Sequence, residues 1–370
     1  MKETLELNTD TPLESSTESV TVEDGDSGLP VLTTPNSAVD RFSRFLAGSV
    51  VALAVLFLFN DYLIFWLKWP GVVDFFSHQQ WFGFSPLRKP LDDSQLSLGW
   101  IQVFSYLGSL VLVLAFILAT PKRGLRADAA FLGGFAAYIV RAAFWTVLIV
   151  GFADMLISFL RVEEFLAPIV GEEITRELGR PKYRGLNVHY PLIVLSFVIA
   201  LFTRSLGFTW LALLVVLAEF QIVISRFVFS YEQAFMGDLV RFWYAALFLF
   251  ASAHTLVMEG HVRVDVLYAH FGLRAKAWSN ISGIMLLGLP LCWIILTMGM
   301  WTKGSSINSP LLSFEISQSG YGMYTKYMMV AYLVIFAFSM IVQFSSYLLN
   351  SIADLRDEPG REKAAVTFSH

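Results

Sequence analysis

Long apolar runs separated by short polar segments dominate the chain. Eight of these runs approach or reach the length of about 17–25 residues that a helix needs to cross a bilayer. They cover residues 45–67, 100–119, 131–159, 190–202, 206–229, 239–258, 278–300 and 323–349. The run at 190–202 is the shortest of the eight. The pattern predicts an all-α polytopic membrane protein with about eight transmembrane helices.

The composition agrees with that pattern. The 370 residues are 56% hydrophobic and 15% charged, whereas soluble domains are about 45–50% apolar. Residues 1–40 contain nine acids and one base, so the net charge of −4 reflects this tail rather than the membrane part. We interpret residues 1–40 as a disordered acidic cytoplasmic tail and residues 353–370 as a C-terminal tail. The single cysteine, Cys292, excludes an intrachain disulfide.

The distribution of Lys and Arg predicts the orientation. Basic residues collect in the loops at 120–130, 203–205 and 259–277 and in the C-terminal tail, as they do on the cytoplasmic side of membrane proteins. With eight spans, both termini are then cytoplasmic. The segment 161–189 carries five acids and five bases, and we expect it to lie outside the bilayer with a short interfacial helix in its first half.

The last two-fifths of the chain carry polar, glycine, proline and aromatic positions in a fixed order. They are RFVF at 226–229, Asp238, Arg241, EGHVRVD at 259–265, Pro290, Trp301, EIS at 315–317, Gly320, Gly322, Lys326 and Gln343. In this order and spacing, residues 206–352 resemble the DctQ-type small membrane subunit of tripartite ATP-independent periplasmic (TRAP) transporters. The chain would then divide into a four-span N-terminal extension, 41–205, and a four-span module, 206–352. The resemblance does not reach the extension.

The resemblance implies an indirect role in transport. The chain would be the small permease subunit, a scaffold in a secondary importer of an organic acid or a similar solute in the bacterial inner membrane. Its partners would be a large permease subunit, a periplasmic solute-binding protein and membrane lipids, with no nucleic acid. The coupling ion, sodium, would belong to the large subunit, so this chain would hold no cofactor and no metal and would not be an enzyme.

Two other functions remain open. The chain could be a membrane anchor or accessory subunit of a redox or other membrane complex, since His254 and His261 lie seven residues apart, on one face of a continuing helix. A transmembrane haem, however, needs histidines that face each other from different helices. The four added spans could instead hold a pathway for a ligand or coupling ion. The residues show no catalytic motif and leave a substrate site unknown.

Two ionisable residues fall near the middle of predicted spans. Arg141 and Glu219 lie inside apolar runs, where a charge costs about 2.5–3.5 kcal/mol and usually faces a partner. We expect an ion pair between them that joins the extension to the module. The alternative is that Arg141 reaches toward the membrane surface and Glu219 is protonated or bonded to a neighbour.

Other charged residues are predicted at the two membrane faces. An outer polar layer that orients the helices would comprise Asp61, Asp154, Arg226, Asp238 and Arg241. On the cytoplasmic side, a turn would contact lipid headgroups or the large subunit, with a basic rim beside it. The turn and rim residues are Glu259, His261, Arg263, Asp265, Arg274 and Lys276. The alternative for each group is a set of solvated single charges.

Overall fold

Eight long helices account for most of the structure. The computed structural model describes residues 37–203, 208–257, 268–317 and 322–360. The long helices, α1 to α8 in chain order, are Ala38–Phe65, Asp93–Ala119, Leu125–Val162, Pro181–Phe202, Phe208–Val228, Ala234–Val257, Leu273–Met300 and Lys326–Leu355. Each contains a stretch long and apolar enough to cross a membrane. The eight predicted spans are therefore confirmed, and the described residues form no strand.

Shorter helices lie in the connections. They are Val72–Gln79, Trp81–Gly83, Leu166–Val170, Glu172–Leu178, Tyr268–His270 and Asn308–Ser313. Two of the membrane helices, α1 and α2, begin at polar caps that the sequence encodes locally. Ser37 accepts a hydrogen bond from the Asp40 amide at the start of α1, and Asp92 accepts one from the Gln95 amide at the start of α2. These caps satisfy amides that would otherwise be unpaired at the helix ends.

The helices α3 and α8 form the centre of the bundle. α3 and α8 pack along each other, α6 lies against both, and α1 and α7 pack on α8. The remaining helices lie outside: α4 on α3, α2 on α1, and α5 on α6. The buried apolar clusters combine residues from α1 and α3 with residues from α7 and α8, for example Ala54 with Leu296 and Ala129 with Leu349. The N-terminal helices thus share a core with the C-terminal ones.

One close contact shows how tightly α3 packs against α6. The Trp243 indole Nε1 donates a hydrogen bond to the Val147 carbonyl at 3.2 Å. A Cβ at Gly151, one turn further on, would lie 2.7 Å from that indole nitrogen. Gly151 is therefore needed to admit the large ring, because a methyl group there would overlap it.

The segment 161–189, which follows α3, agrees only in part with its prediction as a stretch outside the bilayer. Helices Leu166–Val170 and Glu172–Leu178 occupy the first half of the 161–189 segment, as expected. The second half does not stay separate: Pro181–Arg184 continues through a wide π turn, Gly185–His189, into Tyr190–Phe202. The short predicted run is thus completed to a spanning length of 22 residues. The charge balance hid this extension because Arg184 and His189 look solvated in sequence but are buried.

Ion pairs close the predicted cytoplasmic end of the bundle. The fully buried guanidinium of Arg44 donates to Asp128 at 2.6 Å, and Arg126 pairs with Asp354 at 2.8 Å. The Glu358 carboxylate accepts from the amides of Leu125 and Arg126 at the first turn of α3. A carboxylate is favourable there because helix N-termini carry partial positive charge. Bases that mark topology in the sequence therefore also tie α1, α3 and α8 together.

A buried polar cluster between the N-terminal helices and the α7–α8 connection

A polar cluster lies within the opposite end of the bundle, around the carboxylate of Asp154. α3 supplies Asp154 eight residues before its end, and α4 supplies Arg184 and His189. The connection that leads into α8 supplies Tyr324, and the first turn of α8 supplies Tyr327. The cluster therefore joins two N-terminal helices to the last helix of the chain.

The carboxylate of Asp154 is completely buried, and both of its oxygens accept hydrogen bonds. Its Oδ1 accepts from Arg184 Nη1 at 2.9 Å and from His189 Nε2 at 2.9 Å. Its Oδ2 accepts from the Tyr324 amide at 2.7 Å. Asp154 and His189 are each 0% exposed, and so is Arg184. A buried charge is tolerated only when it is paired and hydrogen-bonded in this way.

The imidazole of His189 extends the cluster toward α8. Because a carboxylate only accepts, His189 Nε2 carries a proton. In the neutral ring Nδ1 then accepts from the Tyr327 hydroxyl, 2.8 Å away. The two rings are also stacked, with 17° between their planes. The chain Asp154–His189–Tyr327 has no unsatisfied polar atom among its described members.

The guanidinium of Arg184 is held on one face by an aromatic ring and at its edges by hydrogen bonds. Its Cζ lies 4.1 Å from the centre of the Tyr324 ring, a close cation–π contact. Its Nε donates to the Leu178 carbonyl at 2.9 Å. The Tyr324 hydroxyl donates to the Gly179 carbonyl and accepts from Arg161 Nη1 at 2.6 Å. This cluster is closed and satisfied, which suits it to fixing helices rather than to moving protons or binding a solute.

Three carboxylates from three helices hold the connection between α7 and α8. Asp61 of α1 accepts from Asn308 Nδ2 at 2.9 Å, and Asp154 of α3 accepts from the Tyr324 amide. Asp238 of α6 accepts from Ser317 Oγ at 3.1 Å and from the Met323 amide at 3.0 Å. Of the five residues predicted for the outer polar layer, these three form hydrogen bonds with one segment, the α7–α8 connection. Each of the three accepts at least one hydrogen bond from the connection.

The two arginines predicted for the same layer lie on its surface. Arg226 pairs with Glu232 at 3.3 Å, and both side chains are exposed. Arg241 pairs with Asp238 at 3.3 Å and is likewise exposed. Exposed pairs of this kind contribute about 0–1 kcal/mol. These arginines therefore add little to the anchoring of the connection.

The expected ion pair between Arg141 and Glu219 is not formed. Glu219 is exposed on the outer face of α5, and no ion pair within the described ranges involves either residue. The Nε of Arg141 is buried without a hydrogen-bond partner in the part of the chain that the structure describes. Their positions along the predicted spans place both residues near mid-bilayer. Position along a helix does not show which neighbouring helix, if any, a side chain faces. α5 turns Glu219 away from the bundle, and α3 packs against α4, α6 and α8 instead.

The predicted cytoplasmic turn lies largely outside the described residues. Glu259, His261, Arg263 and Asp265 fall in the undescribed range 258–267. Of the basic rim, Arg274 lies 3.8 Å from Asp357 with both side chains exposed, and Lys276 Nζ lies 5.3 Å from the centre of the Tyr268 ring. The lipid or partner contact of this turn and rim stays a prediction.

The sequence pattern does not single out Arg184, His189, Tyr324 or Tyr327 as members of a site. A usable signal was present: His189 directly precedes an apolar run, and Tyr324 and Tyr327 directly precede or begin another. Polar residues at the ends of consecutive spans can meet at the same membrane face. Which spans are neighbours, however, depends on packing that the sequence pattern does not contain.

The fold and the cluster together define a class of protein. The described residues contain eight helices long and apolar enough to cross a membrane, with ionisable groups enclosed between them, as in a multi-pass membrane protein. No group of three or more potential metal ligands occurs in the described residues.

Comparison with known protein families gives a match for the last two-fifths of the chain. Residues 212–353 match the family model of the tripartite ATP-independent periplasmic transporters, DctQ component. The resemblance to the DctQ-type small subunit is confirmed over this segment, which follows four further helices that are long and apolar enough to cross a membrane. The family is a transporter component rather than an enzyme, and in TRAP systems it works with a large permease and a solute-binding protein. Neither a curated protein nor a solved structure matches the chain.

Proposed function

We propose that the chain is the small permease subunit of a TRAP-type secondary transporter and that it acts as a scaffold. The system would import an organic acid or a similar solute together with a coupling ion, and sodium is the ion we expect. Both the solute and the ion would pass through a large permease subunit, to which a periplasmic solute-binding protein delivers the solute. The observation that carries this proposal is the family match over residues 212–353.

The packing of the bundle supports a bracing role. The enclosed carboxylate of Asp154 and the buried guanidinium of Arg184 are satisfied within the chain, so they are unavailable for solute binding. By contrast, α5 keeps a long apolar face outward, and 11% of its apolar stretch is buried. The exposed side chains of this face are Trp210, Leu213, Val216, Leu217, Phe220 and Phe227. We propose this face, with Glu219 on it, as a surface for the large permease.

The test is reconstitution with and without partners. The chain would be purified alone and together with a large TRAP permease subunit, and each preparation would be placed in liposomes with the binding protein and a sodium gradient. We expect solute uptake only when the large permease is present, and loss of co-purification for Glu219→Lys but not for the exposed control Glu173→Lys. Sodium-driven uptake by the chain alone would refute the scaffold role.

A further inference from the structure

A second polar feature is a cavity of about 590 Å³ at the predicted outer end of the bundle. It lies between the end of α1, the middle of α2, the helix Val72–Gln79 and the end of α7. Its volume falls within the range of about 300–1,000 Å³ that is typical of small-molecule sites. Most of its wall is apolar, and the residues that form this part include Phe57, Ile64, Phe65, Val72, Met300 and Trp301.

Three charged side chains line the same cavity: Asp61, Asp74 and Lys303. Asp61 Oδ1 accepts from Asn308, but its Oδ2 receives no hydrogen bond from a described residue. Neither Asp74 nor Lys303 forms an ion pair with any residue in the described ranges. The cavity thus offers two negative groups and one positive group beside a largely apolar wall, and each can form charge-assisted hydrogen bonds.

Asn60 and Gly71 line the cavity and are held from behind by the side chain of Gln102. Gln102 is 1% exposed and Asn60 is 3% exposed. Gln102 Nε2 donates to Asn60 Oδ1 at 2.9 Å, and Gln102 Oε1 accepts from the Gly71 amide at 2.9 Å. Gly71 has a φ of 84°, which a side chain disfavours, and a Cβ there would lie 3.0 Å from Ile64 Cδ1. The cavity is therefore preformed, so a ligand would not have to order it.

The combination of charges selects the chemistry of a ligand. A simple anion would meet two carboxylates, and a simple cation would meet the Lys303 ammonium. A zwitterion can satisfy both signs at once. The helices that form the cavity also expose apolar side chains to the outside, among them Phe59 of α1 and Phe104 of α2, as lipid-facing helices do.

We propose that this cavity binds a zwitterion that carries a primary ammonium and a phosphate group, as the headgroup of phosphatidylethanolamine does. The ammonium group would lie at Asp61 and Asp74, and the phosphate would lie at Lys303. The same chemistry could come from a membrane lipid or from a soluble phosphodiester. The site is independent of the transport function proposed above.

Native mass spectrometry of the full chain in detergent tests the proposal. The delipidated protein would be offered phosphatidylethanolamine and phosphatidylglycerol with identical acyl chains, which differ in the ammonium group. We expect retention of phosphatidylethanolamine to exceed that of phosphatidylglycerol by at least about tenfold, the effect of one charge-assisted hydrogen bond. The Asp61→Asn, Asp74→Asn double variant should abolish this preference, and Lys303→Gln should weaken retention of both lipids.

Matched controls separate the site from general surface charge. Glu173→Gln and Lys182→Gln remove one exposed charge of each sign away from the cavity and should leave both lipids unaffected. Asp74→Asn alone, in an exposed position on a short helix, keeps the test valid if the double variant does not fold. Equal retention of the two lipids, or unchanged preference in the Asp74→Asn variant, would overturn the proposal.

Soluble glycerophosphoethanolamine distinguishes the two sources of the ligand. If it displaces phosphatidylethanolamine, the headgroup alone suffices and a soluble phosphodiester can occupy the site. If phosphatidylethanolamine is retained and the soluble compound does not compete, the ligand is a lipid anchored by its acyl chains. Either result supports zwitterion binding, whereas failure of both compounds to bind refutes it.

Discussion

Removing the carboxylate of Asp154 should be among the most damaging single substitutions in the chain. The change Asp154→Asn preserves the shape of the side chain but leaves one acceptor oxygen for three donors, from Arg184, His189 and Tyr324. Whichever way the amide turns, an NH₂ group faces another donor. The guanidinium of Arg184 then stays buried without a counter-charge, since the side chain is 0% exposed.

The size of the effect follows from that buried charge. Breaking a buried ion pair by removing one partner costs about 3–5 kcal/mol. Such a loss raises the unfolding equilibrium constant roughly a hundredfold to several thousandfold. Replacing both partners, as in Asp154→Leu with Arg184→Met, removes the uncompensated charge and should restore part of the stability; the His189 Nε2–H and the Tyr324 amide still lack an acceptor. His189 keeps its contact with Tyr327 in that double variant.

Unfolding of the full chain in mixed micelles, followed by tryptophan fluorescence as sodium dodecyl sulfate is added, measures these differences. Asp93→Asn is the control, because Asp93 is exposed at the start of α2 and its loss should cost within about 0.5 kcal/mol. The reasoning fails if Asp154→Asn is no more destabilising than this control. It also fails if the Leu/Met double variant is as unstable as Asp154→Asn.

Two further predictions concern packing and pH. Gly151→Ala should lower stability by about 1–3 kcal/mol, since its Cβ would lie 2.7 Å from Trp243 Nε1; Gly134→Ala on the same helix, with no atom within 4 Å, should not. Thermal unfolding of both variants tests this, and equal melting temperatures would contradict it. Burial, followed by the neighbouring Glu163 carboxylate, raises the pKa of Tyr231 to about 12. The stability that the neutral Tyr231 hydroxyl contributes should therefore be constant below pH about 10, the ordinary tyrosine pKa, and disappear as the pH rises through about 12. Unfolding of the parent and of Tyr231→Phe between pH 8 and 12 measures this contribution to stability. An identical pH dependence in the two proteins would refute the raised pKa of Tyr231.

The membrane helices could be predicted because one physical signal specifies them. A run of apolar residues long enough to cross a bilayer must form a helix, since no other structure satisfies the backbone there. All eight runs are therefore found where the hydrophobic pattern places them. The length of α4 is the exception. This helix begins with Pro181–Arg184 and a π turn, and because the residues there are charged or polar, the hydrophobic pattern does not include them.

The partners of the charged residues could not be predicted in the same way. Asp61, Asp154 and Asp238 are predicted to lie at one end of the bundle, because residue counting gives depth along a helix, and all three bond to the α7–α8 connection. Their common partner, the α7–α8 connection, depends on which helices are neighbours. The failed pairing of Arg141 with Glu219 has the same origin: α5 packs on α6, which leaves Glu219 on the far side of the bundle from α3.

The helices that pack together extend beyond the segment that matches the family model. The match begins at residue 212, yet α8, its last helix, packs against α1 and α3 from outside the match. Buried residues such as Leu349 of α8 contact Leu125 and Ala129 of α3 in one apolar cluster. The faces of α8 that a four-helix chain would leave for lipid or for a partner are therefore occupied here by the chain's own N-terminal helices. Any large permease subunit must then use the faces that remain, and the outward face of α5 is one of them.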